Sequence, residues 1–183
     1  MSETYRVEVG GVARDLRLFE VAPGVKIAIL NILGDTKFVQ AVSQELKKKL
    51  ANLEFVAFVT AAAKAIPLAH QLSLDMDKPY VVLRKDYKSY MGDAISAETV
   101  SITTGSKQTL YLDEKDLTMI QGKAVIIIDD VISTGSTLEG MRRIIEKAGA
   151  TLAAEAAIFT EGDPTKWEHI VALGNLPVWI DKG

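Results

Sequence analysis

The residues best equipped for chemistry lie in one stretch, Ala124 to Thr137, which reads Ala-Val-Ile-Ile-Ile-Asp-Asp-Val-Ile-Ser-Thr-Gly-Ser-Thr. Asp129 and Asp130, when ionised, only accept hydrogen bonds, which suits a pair of sugar hydroxyls. Directly after them Ser133, Thr134, Ser136 and Thr137 place hydroxyls around Gly135, a residue that lets backbone approach a ligand closely. Capping a helix would need neither two carboxylates nor so many hydroxyls. An apolar run, then acids, then a hydroxyl-rich turn is the order required of a sugar-phosphate cradle at the end of a strand.

Two elements must position that cradle. Val125 to Ile128 are consecutive β-branched residues bounded by polar ones, the pattern of a strand buried on both faces of a parallel sheet. Beyond the turn, Leu138, Met141, Ile145 and Ala148 fall on one helical face, and Gly149 stands where a left-handed cap ends a helix. The helix therefore starts near Ser136. Its first N–H groups lack intrahelical partners and carry the positive end of the dipole, so the turn from Ser133 to Thr137 can bind a phosphate. The acids then sit at the carboxyl end of the strand, the ligand side of an open α/β sheet.

This segment closely resembles the phosphoribosyl pyrophosphate motif of the type I phosphoribosyltransferases. The resemblance implies a single Rossmann-like α/β domain over residues 1–183, with a central, mainly parallel sheet flanked by helices. It further implies an N-terminal hood over about 1–34 and a flexible β-ribbon lid over about 86–112. Asp129 and Asp130 would hold the ribose hydroxyls at the reaction centre, and Ser133, Thr134, Gly135, Ser136 and Thr137 would wrap the 5-phosphate.

A second segment, Lys64-Ala65-Ile66-Pro67-Leu68-Ala69, resembles the family's pyrophosphate loop. With it the resemblance assigns Lys64, Arg84 and Lys85 to pyrophosphate, and Lys88 to the lid as a catalytic cation that closes over it. Val25, Ile27, Ile132 and Phe159 become base-site residues, with Glu161 a polar contact. The sequence departs from the family at four places. Ala28 replaces a basic residue, Ala62 an acidic one and Ala65 a glycine, and Thr103-Thr104 stand where adenine-specific members carry Glu-Tyr.

The rest of the chain supplies scaffold. Tyr5, Val7 and Val9 and then Val12, Leu16 and Leu18 flank Gly10-Gly11 as a hairpin, and Pro23-Gly24 turns into an apolar run, Val25 to Leu30. Asp35 caps a helix to about Ala51, on which Phe38, Val42 and Leu46 repeat every four residues and lysines fill the last turn. Phe55–Val59, Pro79–Leu83 and Leu152–Phe159 read as further buried strands. Glu98–Thr103 and Gln108–Leu112 form a ribbon turning at Gly105-Ser106. Trp167, Ile170 and Leu173 predict a short amphipathic helix, and Val178–Ile180 a closing strand.

With 183 residues, 48% hydrophobic and 25% charged, the chain can bury a sizeable core in one domain. A net charge of −3, with Lys47-Lys48-Lys49 its one basic block, points away from a nucleic-acid partner. The polar start is no signal peptide and no apolar run is long enough for a bilayer, so a cytoplasmic protein without a membrane partner is expected. The absence of cysteine excludes disulfides and thiolate chemistry, and His70 and His169 lie too far apart in sequence for a histidine-rich metal site.

The reading that follows from the resemblance is Mg²⁺-dependent transfer of phosphoribosyl from phosphoribosyl pyrophosphate to a purine base, with adenine the leading choice. Mg²⁺ is expected mainly on substrate oxygens, with no direct protein ligand set, and a homodimer is the expected assembly. Two alternatives stand beside it. One is the same reaction on hypoxanthine, xanthine or a pyrimidine; the other is a non-catalytic sensor of phosphoribosyl pyrophosphate.

Overall fold

The computed structural model describes residues 3–100 and 107–181. The chain begins with β1 (Thr4–Val9) and β2 (Val12–Ala22), an antiparallel hairpin. Gly10 and Gly11 turn it with φ of +55° and +75°, values that match a tight turn to the right-handed twist of its strands. β3 (Val25–Ile29) returns along β2. Alternation then sorts the hood: Val7, Leu16 and Ala28 face the core, while Phe19, Ile27 and Ile29 face outward.

Helix α1 (Thr36–Leu50) starts where the Asp35 carboxylate accepts the Phe38 N–H at 3.2 Å. Arg14 of β2 reaches the same carboxylate through Nε (2.6 Å) and Nη2 (2.7 Å), fastening the hood to the helix start. Next come β4 (Ala57–Ala61), α2 (Ile66–Met76) and β5 (Tyr80–Leu83). β4 begins two residues later than the Phe55 start expected of it, because Phe55 leaves the strand to pack on Phe58, ring centroids 4.9 Å apart.

A ribbon of β6 (Ile95–Val100) and β7 (Lys107–Leu112) precedes α3 (Glu114–Ile120), β8 (Ala124–Ile132), α4 (Ser136–Lys147) and β9 (Thr151–Glu161). β8 lies between β4 and β9, parallel to both, and β5 extends the sheet beyond β4. Val125 to Ile128 are all fully buried, as two packed faces require. Ile126 and Ile128 enter one core with α1 and α2; Val125 and Ile127 enter the other with α3, α4 and the ribbon.

After β9 the expected helix over 167–173 does not form. A 3₁₀ turn (Pro164–Trp167) is followed by two short strands, β10 (Val171–Ala172) and β11 (Asn175–Leu176), both parallel to β9. The free edge of β9 explains the difference. Leu173 donates to Ile158 and Thr160 to Gly174, so this segment satisfies ladder groups that a helix would leave open. The final strand, β12 (Val178–Ile180), pairs with β3 and so closes the hood.

The ribbon's strands are fixed to the body. Ala97 and Leu110 are buried on α4, and a Cβ at Gly140 would stand 2.9 Å from Thr99 Cγ2. Lys147 and Arg143 of α4 donate to the carbonyls of Ser96 and Glu98. Thr103, Thr104 and the Gly105-Ser106 turn lie outside the described residues.

Candidate active site

The order of the parallel sheet reverses between β4 and β8, where the chain leaves toward opposite edges. At such a point the connections diverge and open a crevice at the carboxyl ends of the strands. The end of β8 delivers Asp129 and Asp130 there, and the loop after β4 delivers Lys64 opposite them.

Asp130 is 6% exposed, and its Oδ2 has no hydrogen-bond donor among the described residues. Lys64 Nζ stands 3.4 Å from that oxygen, close enough for charge attraction but without the alignment of a hydrogen bond. Asp129, half-buried beside it, accepts the backbone N–H of Asp130 through Oδ1 at 2.9 Å. Burial first, and then the neighbouring Asp130 carboxylate, push the Asp129 pKa up to about 8, against the pull of Lys64. Two acids so close cannot both ionise freely without a ligand that supplies donors or positive charge.

Gly135, with φ +79°, is the N-cap of α4 and turns the loop into the helix. The N–H groups of Thr137 and Leu138 have no acceptor among the described residues, while Glu139 already donates to Gly135. Thr134 Oγ1 meets Ser136 Oγ at 3.2 Å and holds the turn together from within. The outcome is an anion cradle at the start of a 12-residue helix.

Two lobes meet at Lys64 and Asp130. One, about 150 Å³, is bounded by Ile27 and Ile29 of the hood, Val131, Ser133 and Glu161. The other, about 230 Å³, is bounded by Ala61 to Ala65, Lys85, Asp129 and Thr137. In the first lobe burial raises the Glu161 pKa, opposed by Lys64. Larger hollows of about 410 Å³ and 510 Å³ lie behind the phosphate loop and beyond Arg84. Neither contains the acids or Lys64, so chemistry rather than volume identifies the site.

The expected residues sort unevenly. Asp129, Asp130, Lys64, Lys85, Ser133, Thr137 and Ile27 converge on the two lobes, and Thr134, Gly135 and Ser136 form the loop behind them. Arg84 does not join Lys85. It pairs by backbone with Tyr111 and borders the hollow with Tyr80 and Tyr90, because adjacent residues at a strand end point opposite ways. Lys88 is exposed before a 3₁₀ turn (Ser89–Met91) and borders neither lobe. Val25 pairs with Ile180 at the far end of β3, away from both.

Ile132 is 2% exposed and belongs to the α4-side core, so alternation gives its expected place at the first lobe to Val131. Phe159 is likewise a core residue, packed against Gly174 and 5% exposed. Ile29 and Val131 went unnoticed as lobe residues. The period-2 alternation of their strands was the signal that could have found them, once the core face was known.

Paired acids, a cation and open amides at a sheet's switch point define an α/β protein with an anion cradle and a divided cleft. The chain belongs to the phosphoribosyl transferase domain family, whose model matches residues 29–173. Among known proteins it is 34% identical over 146 residues to a hypoxanthine/guanine phosphoribosyltransferase of Methanococcus voltae, covering 78% of this chain and 69% of that one. It is 27% identical over 151 residues to the purine biosynthesis transcriptional activator PurR of Lactococcus lactis, covering 82% of this chain. The chain spans about half (54%) of that regulator's length. An adenine phosphoribosyltransferase structure from Thermoanaerobacter pseudethanolicus superposes with a TM-score of 0.73 at 20% identity, covering 87% of this chain and 95% of that one. That likeness establishes the fold. Among the described residues no helix is long and apolar enough to cross a membrane.

Proposed function

We propose that the protein transfers phosphoribosyl from phosphoribosyl pyrophosphate to a purine base, with release of pyrophosphate. The observation that carries the reading is Asp130 Oδ2: a buried carboxylate oxygen without a donor, where the two lobes meet and one turn from an amide cradle. Ribose hydroxyls supply the donor that Asp130 Oδ2 lacks and add a second to Asp129. The 5-phosphate takes the N–H groups at the start of α4, and the base lies in the lobe under Ile27 and Ile29. Pyrophosphate occupies the lobe of Lys85 and the loop before Lys64.

In that arrangement the bond from C1 of the sugar to pyrophosphate breaks as a base nitrogen approaches from the hood side, and the ring proton that the base gives up passes to the released pyrophosphate or to solvent. Positive charge gathers on the ring beside two acids, and negative charge gathers on the leaving group beside Lys85 and Lys64. Fixed charges placed where charge develops stabilise the transition state. Mg²⁺ would be held mainly on oxygens of the substrate, beside the two acids that bind its ribose hydroxyls. No cluster of three or more acids, His or Cys that could hold a metal alone is present among the described residues. When bound, Mg²⁺ neutralises pyrophosphate charge.

Glu161, which borders the base lobe at the end of β9, accepts an N–H from the base edge. Adenine remains the first base to test, with hypoxanthine and guanine beside it because of the Methanococcus relative. The likeness to PurR favours a second reading, a non-catalytic sensor of the same sugar. One experiment separates them: incubation with phosphoribosyl pyrophosphate, Mg²⁺ and a panel of bases, with nucleotide detected by mass. Nucleotide formed from a purine supports the enzyme and names its base. Sugar binding without turnover of any base, together with retention of specific DNA, supports the sensor.

A further inference from the structure

The phosphate loop leaves β8 after Ile132, and the turn that carries Trp167 leaves β9 after Glu161; Ile132 and Thr160 are register partners. The two connections therefore start side by side. Asp163 accepts from both the N–H (3.0 Å) and the hydroxyl (2.7 Å) of Thr165 and so fixes the short turn that ends at Trp167. The indole then leans back over the phosphate loop. A Cβ built on Gly135 would stand 2.8 Å from Trp167 Cη2 and 3.5 Å from Cζ3, so the ring edge fills the place that glycine leaves vacant.

Behind the same loop lies the hollow of about 410 Å³, bordered by Thr134, Ser136, Arg142 and the indole itself. Without the ring, the loop would have open space on its outer side. Resting on this phosphoribosyl-binding reading, we propose that Trp167 is a positioning residue: its ring edge limits Gly135 from outside, keeping the amides of Thr137 and Leu138 aimed into the cleft. Trp167 touches no substrate in this arrangement. Its effect falls on the sugar phosphate and not on the base, because Trp167 does not border the lobe of Glu161 and Ile27.

The test uses the two tryptophans separately. Trp179 packs on Tyr5 in the hood, ring centroids 5.4 Å apart, and Trp179→Phe leaves Trp167 as the single indole. In that variant, ribose 5-phosphate should change the emission saturably. By calorimetry, Trp167→Ala should weaken ribose 5-phosphate by about tenfold or more, since misaligning an amide–phosphate bond forfeits about the worth of one charge-assisted hydrogen bond. Trp167→Phe, whose shorter ring only partly fills the space beside Gly135, should weaken binding less than Trp167→Ala; an equal or larger loss in the Phe variant overturns the role. In turnover, Trp167→Ala should raise KM for the sugar substrate with kcat changed by less than about threefold.

Wild-type binding of ribose 5-phosphate with equal affinity in Trp167→Ala overturns the positioning role and leaves the functional reading standing. Loss of kcat and of base affinity in step with sugar affinity also overturns it, because that is general damage to the fold. No binding of ribose 5-phosphate by wild type overturns the functional reading first, and this role with it.

Discussion

Replacing Asp130 by Asn should make the ligand-free protein more stable above about pH 8, where Asp129 is ionised and donates nothing to its neighbour, while disabling its site. The Asp130 Oδ2 is buried without a donor, and an unmade hydrogen bond of this kind costs about 1–3 kcal/mol, more when the group is charged. Lys64 offsets little of this. Its side chain is 54% exposed and its 3.4 Å approach lacks hydrogen-bond alignment, so the pair contributes at most about 1 kcal/mol. Asparagine keeps the shape, removes a charge that opposes ionisation of Asp129, and brings donors that Asp129 can accept.

The net expectation is a gain of about 1–2 kcal/mol in the absence of ligand. For a chain of this size each kcal/mol moves Tm by about 2–4 °C, so Tm should rise by about 2–8 °C. The same change removes charge-assisted bonds to the ribose, each worth about 1.5–3 kcal/mol, which is a loss of roughly 10- to 150-fold. Calorimetric melting of the ligand-free protein and a pyrophosphate-release assay read the two effects separately. An unchanged or lower Tm above about pH 8 would contradict the account of Asp130 as a stressed, unsatisfied group. Near-wild-type rates in both Asp130→Asn and Asp129→Asn would contradict the ribose assignment itself.

Three further outcomes follow from the geometry. Lys85→Ala should weaken pyrophosphate binding by roughly 10- to 100-fold, the scale of one charge-assisted contact, while Arg84→Ala stays within about threefold; titration calorimetry with pyrophosphate checks this, and equal losses would place both cations in the cleft. The ligand-free protein should lose stability as pH rises from about 4 to about 8, because folded Asp129, its pKa raised to about 8, holds a proton that the unfolded chain has released. That contribution is fully present below the unfolded carboxylate pKa and gone above the folded one. Asp129→Asn should flatten the Tm profile over this window. Glu161→Gln should cost about tenfold in use of the preferred base with sugar-phosphate affinity unchanged, measured across the base panel; a loss of ribose 5-phosphate affinity instead would move Glu161 out of the base lobe.

Much of this site could be read from the chain because its sugar-phosphate half is contiguous. Strand, acids, loop and helix follow one another from Val125 to Lys147, so local patterns alone place Asp129, Asp130 and the cradle. The hairpin at Gly10-Gly11 and the Asp35 cap are local in the same sense. Assignments failed where orientation, not order, decides. Arg84 and Lys85 look equivalent in sequence and are separated by which way each turns at the end of β5. Ile132 and Val131 exchange places for the same reason. The residues from 167 to 173 read as helix because nothing local shows that β9 has an open edge to fill.

The base half has a different construction, and this explains why the chain names one substrate more readily than the other. Ile27 comes from the hood, Lys64 from the loop after β4, Val131 from the end of β8 and Glu161 from the end of β9. No single segment contains this lobe, and each contributor also answers to a local demand: pairing in the hood, charge opposite Asp130, register between β8 and β9. A change of base preference therefore needs only one or two substitutions at the rims of separate elements, with the contiguous cradle left intact. Proteins similar to this chain that are named for hypoxanthine and guanine and for transcriptional control, and one of the same fold named for adenine, are what such a division would allow. On the proposed reading the base preference would rest on Glu161 and the outward face of β3, and exchanging Ile27 or Ile29 should shift relative use of bases without altering the affinity for ribose 5-phosphate.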